Sequence, residues 1–340
     1  MSDQDHAAGQ PAADHAAAIN APATDHALDS GSGGGHGGHG TKAILAALVA
    51  NLGIAIAKFI GFLITRSSSL LAESVHSLAD TTNQGLLLLG GKQAKKSETQ
   101  RHQFGFGMAR YFWSFVVALV LFSLGSLFAL YEGIEKLTHP HKLESPAIAI
   151  GILLVAVMLE AYSFKTAIAE SKPLKGNQSW WSFIRTSKVP ELPVLLLEDS
   201  GALVGLVIAL TSVVLTLITD NADFDAYGTL AISALLGIIA IILIVEMKSL
   251  LMGEAATPET MAKIQSTITT SPSVRRFIHA RTMHLGPEDL LVATKVELDP
   301  TLDFVGVANA IDGVESRLRA AVPEARVIYI EPAIHDPNRS

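Results

Sequence analysis

His76 and Asp80 stand four positions apart within residues 69–93, which read SLLAESVHSLADTTNQGLLLLGGKQ. An imidazole nitrogen and a carboxylate oxygen one helical turn apart form half of a site for a divalent transition metal. Glu73 lies three residues earlier, so Glu73, His76 and Asp80 fall on one face of a helix. The residues around them are apolar enough to cross a bilayer. An ionisable side chain at membrane depth is expensive, faces a bundle interior and marks a pathway. The stretch therefore predicts a membrane protein organised around a buried metal half-site.

Composition agrees. The 340 residues are 49% hydrophobic and 17% charged, with a mean hydropathy of +0.38, too apolar for an ordinary soluble domain. A net charge of −7 gives no footing for nucleic acid. With no cysteine, disulfides and thiolate metal sites are excluded. The opening run MSDQDHAAGQPAADHAA has neither the basic-then-apolar pattern of a signal peptide nor the arginines of a transit peptide. Residues 1–41, rich in Ala, Gly, Asp and His, predict a disordered tail. Its His6, His15, His26, His36 and His39 are either incidental or a weak metal-collecting arm.

The elements that must position the half-site are six apolar segments of spanning length, at about 42–65, 69–92, 111–134, 146–168, 192–217 and 227–251. Lys and Arg concentrate in two connections, 92–110 and 165–190. The positive-inside rule puts both in the cytoplasm together with both termini. The six-span domain is expected over 42–253. Residues 254–336 change character and predict a cytoplasmic ferredoxin-like α/β domain. Thr257-Pro258 caps a helix, 276–283 and 290–298 read as strands, 304–321 as an amphipathic helix and 326–331 as a last strand, in the order αββαβ.

Counting residues from the cytoplasmic side puts Asp80, Glu160 and Asp199 in one layer, with His76 one turn further out. Glu198 and Asp199 point about 100° apart and do not both face one ion. Asp199 is the favoured ligand and Glu198 the second. Glu160 and Glu73 either join the pathway or cap a network. Lys58 and Glu246 are expected to snorkel or pair, and Asn51 and Asn83 to join helices. Trp180, Trp181 and Phe183 read as an interfacial aromatic anchor.

A His/carboxylate site suits Zn²⁺, Fe²⁺, Co²⁺, Mn²⁺ or Cd²⁺. Its ligands must be deprotonated to bind, so metal loading releases protons. That linkage supports exchange of metal for protons without ATP, and no nucleotide-binding pattern is present. The chemistry is one of transport and not of catalysis. Metal, protons and the bilayer are the partners, and the metal is cargo, with no cofactor expected.

The run SSSLLAESVHSLADTTNQ resembles the second span of cation diffusion facilitator transporters. HQFGFGMARYFWSF, LLLEDSGALVG and KSLLMGE are similar to the branch of that family that includes the zinc transporter 9 type. The resemblance covers nearly everything after residue 40. It implies a homodimer and divalent-metal/proton antiport out of the cytoplasm, here at a bacterial cytoplasmic (inner) membrane. It also implies a tail domain in which His279, His284 and His335 can hold regulatory metal; His279 and His284, five apart on a strand, point to opposite faces. One position departs from the family pattern. The residue four before Asp199 is Leu195, and four before Glu198 is Val194, where most members carry His or Asp. Only His76 and Asp80 carry over directly. Two alternatives stay open: a membrane metal sensor or scaffold that binds without turnover, and a passive cation channel.

Overall fold

The computed structural model describes residues 37–66, 68–139 and 146–334. Most of the histidine-bearing tail, and His335 with it, lies outside them. Six long helical stretches carry the apolar sequence. They are α1 (Gly37–Thr65), α2 (Ser68–Ala94), the continuous stretch of α3 (Ala109–Val120), a π-helical segment (Leu121–Leu127) and α4 (Phe128–Thr138), then α5 (Pro146–Lys175), α7 (Glu191–Thr219) and α8 (Asp223–Met252). α1 starts at Gly37, ahead of the expected first span. Four stretches, Ala109–Thr138, Ala147–Lys175, Glu191–Thr219 and Asp223–Met252, are long and apolar enough to cross a membrane on length and composition. α2 has the length and falls short in hydropathy, because it carries the polar stripe that begins at Glu73.

Burial follows from lipid acting as the solvent. Leu52, Ile56, Phe59 and Ile60 on α1, and Leu154, Val155, Met158 and Leu159 on α5, face outward. A small or polar residue at a helix contact lets backbones approach or bond across the interface. Ser126 and Ser233 do so reciprocally, each hydroxyl donating to the other's carbonyl oxygen at 3.0 and 2.9 Å. The bond ties the π-helical segment to α8. The apolar centre of the bundle is built from Leu121, Leu206, Ile232, Leu236 and Leu243.

α1 is fastened to α2 by charge. Lys58 Nζ lies 3.3 Å from Glu73 Oε2 and donates to Ser77 Oγ at 2.7 Å. Both ionic side chains are shut off from solvent, at 1% and 0% exposure. Lys58 therefore pairs and does not snorkel. The other oxygen of Glu73 points at α7, where a Cβ on Gly205 would come within 2.7 Å of it. Only a glycine leaves that oxygen room.

Beyond α8 the chain forms α9 (Pro258–Thr269), β1 (Val274–Gly286), β2 (Asp289–Leu298), α10 (Phe304–Ala321) and β3 (Val327–Pro332). Thr257 caps α9 with its side chain and Pro258 takes the first helical position. β1 pairs antiparallel with β2, and β3 lies parallel to β2 on its other side. β2 alternates buried and half-buried residues along its length. Its inward row, Leu290, Val292 and Val296, packs with Ile264 and Ile268 of α9 and with Val314 and Leu318 of α10. This is the two-layer α/β sandwich expected of the sequence.

The short helix α6 (Trp180–Thr186) corrects one expectation. Trp180 and Trp181 are exposed, as an interfacial anchor requires. Phe183 is buried with Ala167 and Leu196, so it is a wedge between helices instead. Glu246 pairs with Arg185 at 3.3 Å.

The sandwich meets the loop end of the bundle at a contact with no room for side chains. A Cβ on Gly107 would fall 2.6 Å from the Leu285 carbonyl oxygen and 3.1 Å from the Gly286 Cα. Lys188, just before α7, bonds Glu254, just after α8. Although burial pushes the Glu254 carboxyl up, that bond and the ammonium charge hold it below the usual range. Arg110 makes a two-pronged bond to Glu191 at 2.5 and 2.8 Å.

Two outcomes follow from these contacts. Gly107→Ala is expected to lower the stability of the detergent-solubilised protein by about 1–3 kcal/mol, since backbone must shift to admit the methyl. Gly85→Ala, which meets nothing within 4 Å, serves as the control. Lys58→Met leaves Glu73 buried without a counter-charge and is expected to cost about 3–5 kcal/mol. Adding Glu73→Gln should recover most of that loss in the same unfolding measurement. Equal losses in the single and double variants would show that the pair holds nothing.

Candidate metal site

The residues that could bind an ion lie on three helices. α2 presents Glu73, His76, Asp80 and Asn83 along one stripe. Its packing against α7, and that of α7 against α5, brings Glu198, Asp199 and Glu160 to the same region. His76, Asp80, Glu160 and Glu198 are buried, and Asp199 is half-buried.

The distances separate these groups into pairs. His76 Nε2 lies 3.6 Å from Asp80 Oδ2. Asn83 Nδ2 donates to Glu198 Oε1 at 2.5 Å. Ser163, on the face of α5 that carries Glu160, donates to Asp199 Oδ2 at 3.1 Å. Glu198 thus turns toward α2 and Asp199 toward α5, as their offset around a helix requires. Asp80, Glu160, Glu198 and Asp199 all lie within Coulombic reach of one another. Among the described residues, no three His, Asp or Glu side chains stand close enough together to hold a metal ion.

Several polar atoms of this region have no hydrogen-bond partner. They are both ring nitrogens of His76, Asp80 Oδ1, Asn83 Oδ1, Gln84 Oε1 and Glu73 Oε1. A buried polar group left unsatisfied costs about 1–3 kcal/mol and calls for an explanation. Here the orphans run along one face of α2 and all can accept, apart from the protonated nitrogen of a neutral His76. A row of buried acceptors suits a cation.

Sequence reasoning located the half-site and placed Asn83 between helices. It favours Asp199 as the ligand and keeps Glu198 second; in the structure Glu198 bonds Asn83 of α2 and Asp199 bonds Ser163 of α5. The pairing of Lys58 with Glu73 was one of two options for the lysine. Its signal was the presence of one cation and one acid at similar depth in consecutive spans.

In the α/β domain the two histidines stand apart. His279 pairs in register with Lys295 and is exposed on the open face of the sheet. His284 pairs with Leu290 and is buried, with Nδ1 unpartnered. Burial lowers its pKa, and the Lys188 ammonium adds to that. The structure does not bring the two to one metal, and His335 falls outside the described residues.

Comparison with known proteins places the chain. The family model for the cation efflux transmembrane domain matches residues 44–252. The chain is 32% identical over 261 residues to a protein named "Proton-coupled zinc antiporter SLC30A9, mitochondrial" from Mus musculus, covering 76% of this chain and 46% of that one. It is 27% identical over 263 residues to "Metal tolerance protein C4" of Arabidopsis thaliana, covering 76% of this chain and 57% of that one. A nickel form of the MamM C-terminal domain aligns at 15% identity and a TM-score of 0.22, covering 24% of this chain and 100% of that one. The chain spans about half the length of the curated relatives it matches. With a match over most of the apolar region, this chain belongs to the cation efflux family, whose members are transporters and not enzymes.

Proposed function

We propose that the protein exports a divalent transition-metal cation, Zn²⁺ first among them, from the cytoplasm in exchange for protons. The observation that carries this reading is the His76–Asp80 pair, buried in a membrane bundle with both imidazole nitrogens and one carboxylate oxygen unpartnered. Packing alone gives such groups no reason to stay where desolvation is costly. The name of the mouse relative, a proton-coupled zinc antiporter, supports both the cargo and the exchange.

His76 and Asp80 take the ion, and Glu198, Asp199 and Glu160 supply the negative field around it. Protons and metal compete for the same lone pairs, so acidification on one side releases the ion there. Lys58 balances Glu73 and lies beyond the competing set. The two basic loops and the α/β domain share one end of the bundle, joined by Lys188–Glu254 and by the contact of Gly107 with Gly286. We place that end in the cytoplasm on the positive-inside rule, in a bacterial inner membrane, and the active unit as a homodimer.

The lack of three close His, Asp or Glu ligands among the described residues favours, in second place, a sensor that binds metal without turnover. Uptake of ⁶⁵Zn²⁺ into vesicles under an imposed pH gradient separates the two. Saturable uptake driven by the gradient is expected, with loss of about 100-fold or more in Asp80→Ala. Binding without uptake would establish the sensor instead. His76→Asp is expected to retain transport and to shift competition toward Mn²⁺ and Cd²⁺ relative to Zn²⁺. An unchanged competition profile would remove His76 from the ligand set.

A further inference from the structure

Asn83 is the neighbour of the half-site whose second polar end has no assigned use. It follows Asp80 by three residues and His76 by seven, on the same face of α2. It is fully buried, at 0% exposure. Its Nδ2 donates to Glu198 Oε1 at 2.5 Å. An ionised carboxylate only accepts, so Glu198 fixes which end of the amide it meets. The other end, Oδ1, has no partner, and neither has Asp80 Oδ1. Two unpartnered acceptors one turn apart in a buried stripe are an arrangement that a cation resolves.

We propose that Asn83 is a ligand of the transported cation. Its Oδ1 and Asp80 form an oxygen-donor subsite beside His76, and Asn83 also positions Glu198 through its Nδ2. This rests on the transport reading above and deepens it. The subsite accounts for the lack of a three-membered His/Asp/Glu group among the described residues, because the additional donor is an amide.

The donor set bears on cargo. Carboxylate and carbonyl oxygens suit harder divalent ions such as Mn²⁺, whereas imidazole suits Zn²⁺. A site with one imidazole and two oxygen-donor side chains discriminates weakly between the two. Asn83 is then a residue that sets specificity, and the cargo class extends from Zn²⁺ to Mn²⁺.

The test measures Zn²⁺ and Mn²⁺ dissociation constants on the full-length protein in nanodiscs, by competition with a fluorescent chelator. Asn83→His adds a nitrogen donor and is expected to raise the Zn²⁺-over-Mn²⁺ affinity ratio about tenfold. Asn83→Leu removes the oxygen and should weaken Mn²⁺ about tenfold more than Zn²⁺. If the leucine variant fails to fold, Asn83→Gln, which keeps the amide on a longer arm, is expected to lower Mn²⁺ affinity selectively. A ratio that stays within about twofold of the unsubstituted protein overturns the proposal, even if both affinities fall together, since a structural role or a bridging water would do that. Asp80→Ala separates the two levels of inference. If it abolishes binding while the ratios at position 83 stay constant, only the assignment of Asn83 falls. If it binds both ions normally, the transport reading falls with it.

Discussion

An ionisable group inside a bilayer must be paired or must hold an ion, because no water is there to receive it. Among the described residues the bundle answers three of its buried acids with a partner on a neighbouring helix. Lys58 answers Glu73 between α1 and α2, Asn83 answers Glu198 between α2 and α7, and Ser163 answers Asp199 between α5 and α7. Each helix contact is thereby pinned at a polar point as well as packed. Among the buried atoms left without a partner are both imidazole nitrogens of His76 and single oxygens of Glu73, Asp80, Asn83 and Gln84, all on α2. These unmet valences lie along α2, and the proposed cation site accounts for those of His76, Asp80 and Asn83.

The same constraint separates stability from function along α2. Glu73 has a counter-charge and a glycine that makes room for its free oxygen. Its role is to hold α1 and α2 together. His76 and Asp80, one and two turns further along, have only each other at 3.6 Å. A pair this loose costs stability, and on the proposed reading it gains partners when an ion arrives. Toward the loop end, Arg110–Glu191 ties α3 to α7, and Lys188–Glu254 ties the segment before α7 to the segment after α8 that leads into the α/β domain.

Much of this was legible in the sequence. The helix 304–321 and both long strands are set by periodicity and capping, and the structure repeats them to within a few residues. The opposite facing of His279 and His284 was a matter of parity. It survives because the irregularities in β1 fall before His279 and after His284. The rotation of α7 was not legible. Whether Glu198 or Asp199 meets α2 depends on how α5 and α8 grip that helix, and nothing local to the pair encodes it. Phe183 is a similar case: its ring meets the edge of Trp180 at 6.4 Å between centroids, yet it is buried against Ala167 and Leu196 of the long helices. Burial by a distant neighbour leaves no mark on a seven-residue pattern.

The central claim is that the unmet acceptors of α2 are shared by metal and protons. Calorimetric titration of Zn²⁺ into the full-length protein, repeated in buffers of different ionisation enthalpy, counts the protons that binding displaces. The account predicts net proton release near neutral pH that diminishes as the pH is raised. Binding with no buffer dependence of the heat would contradict it.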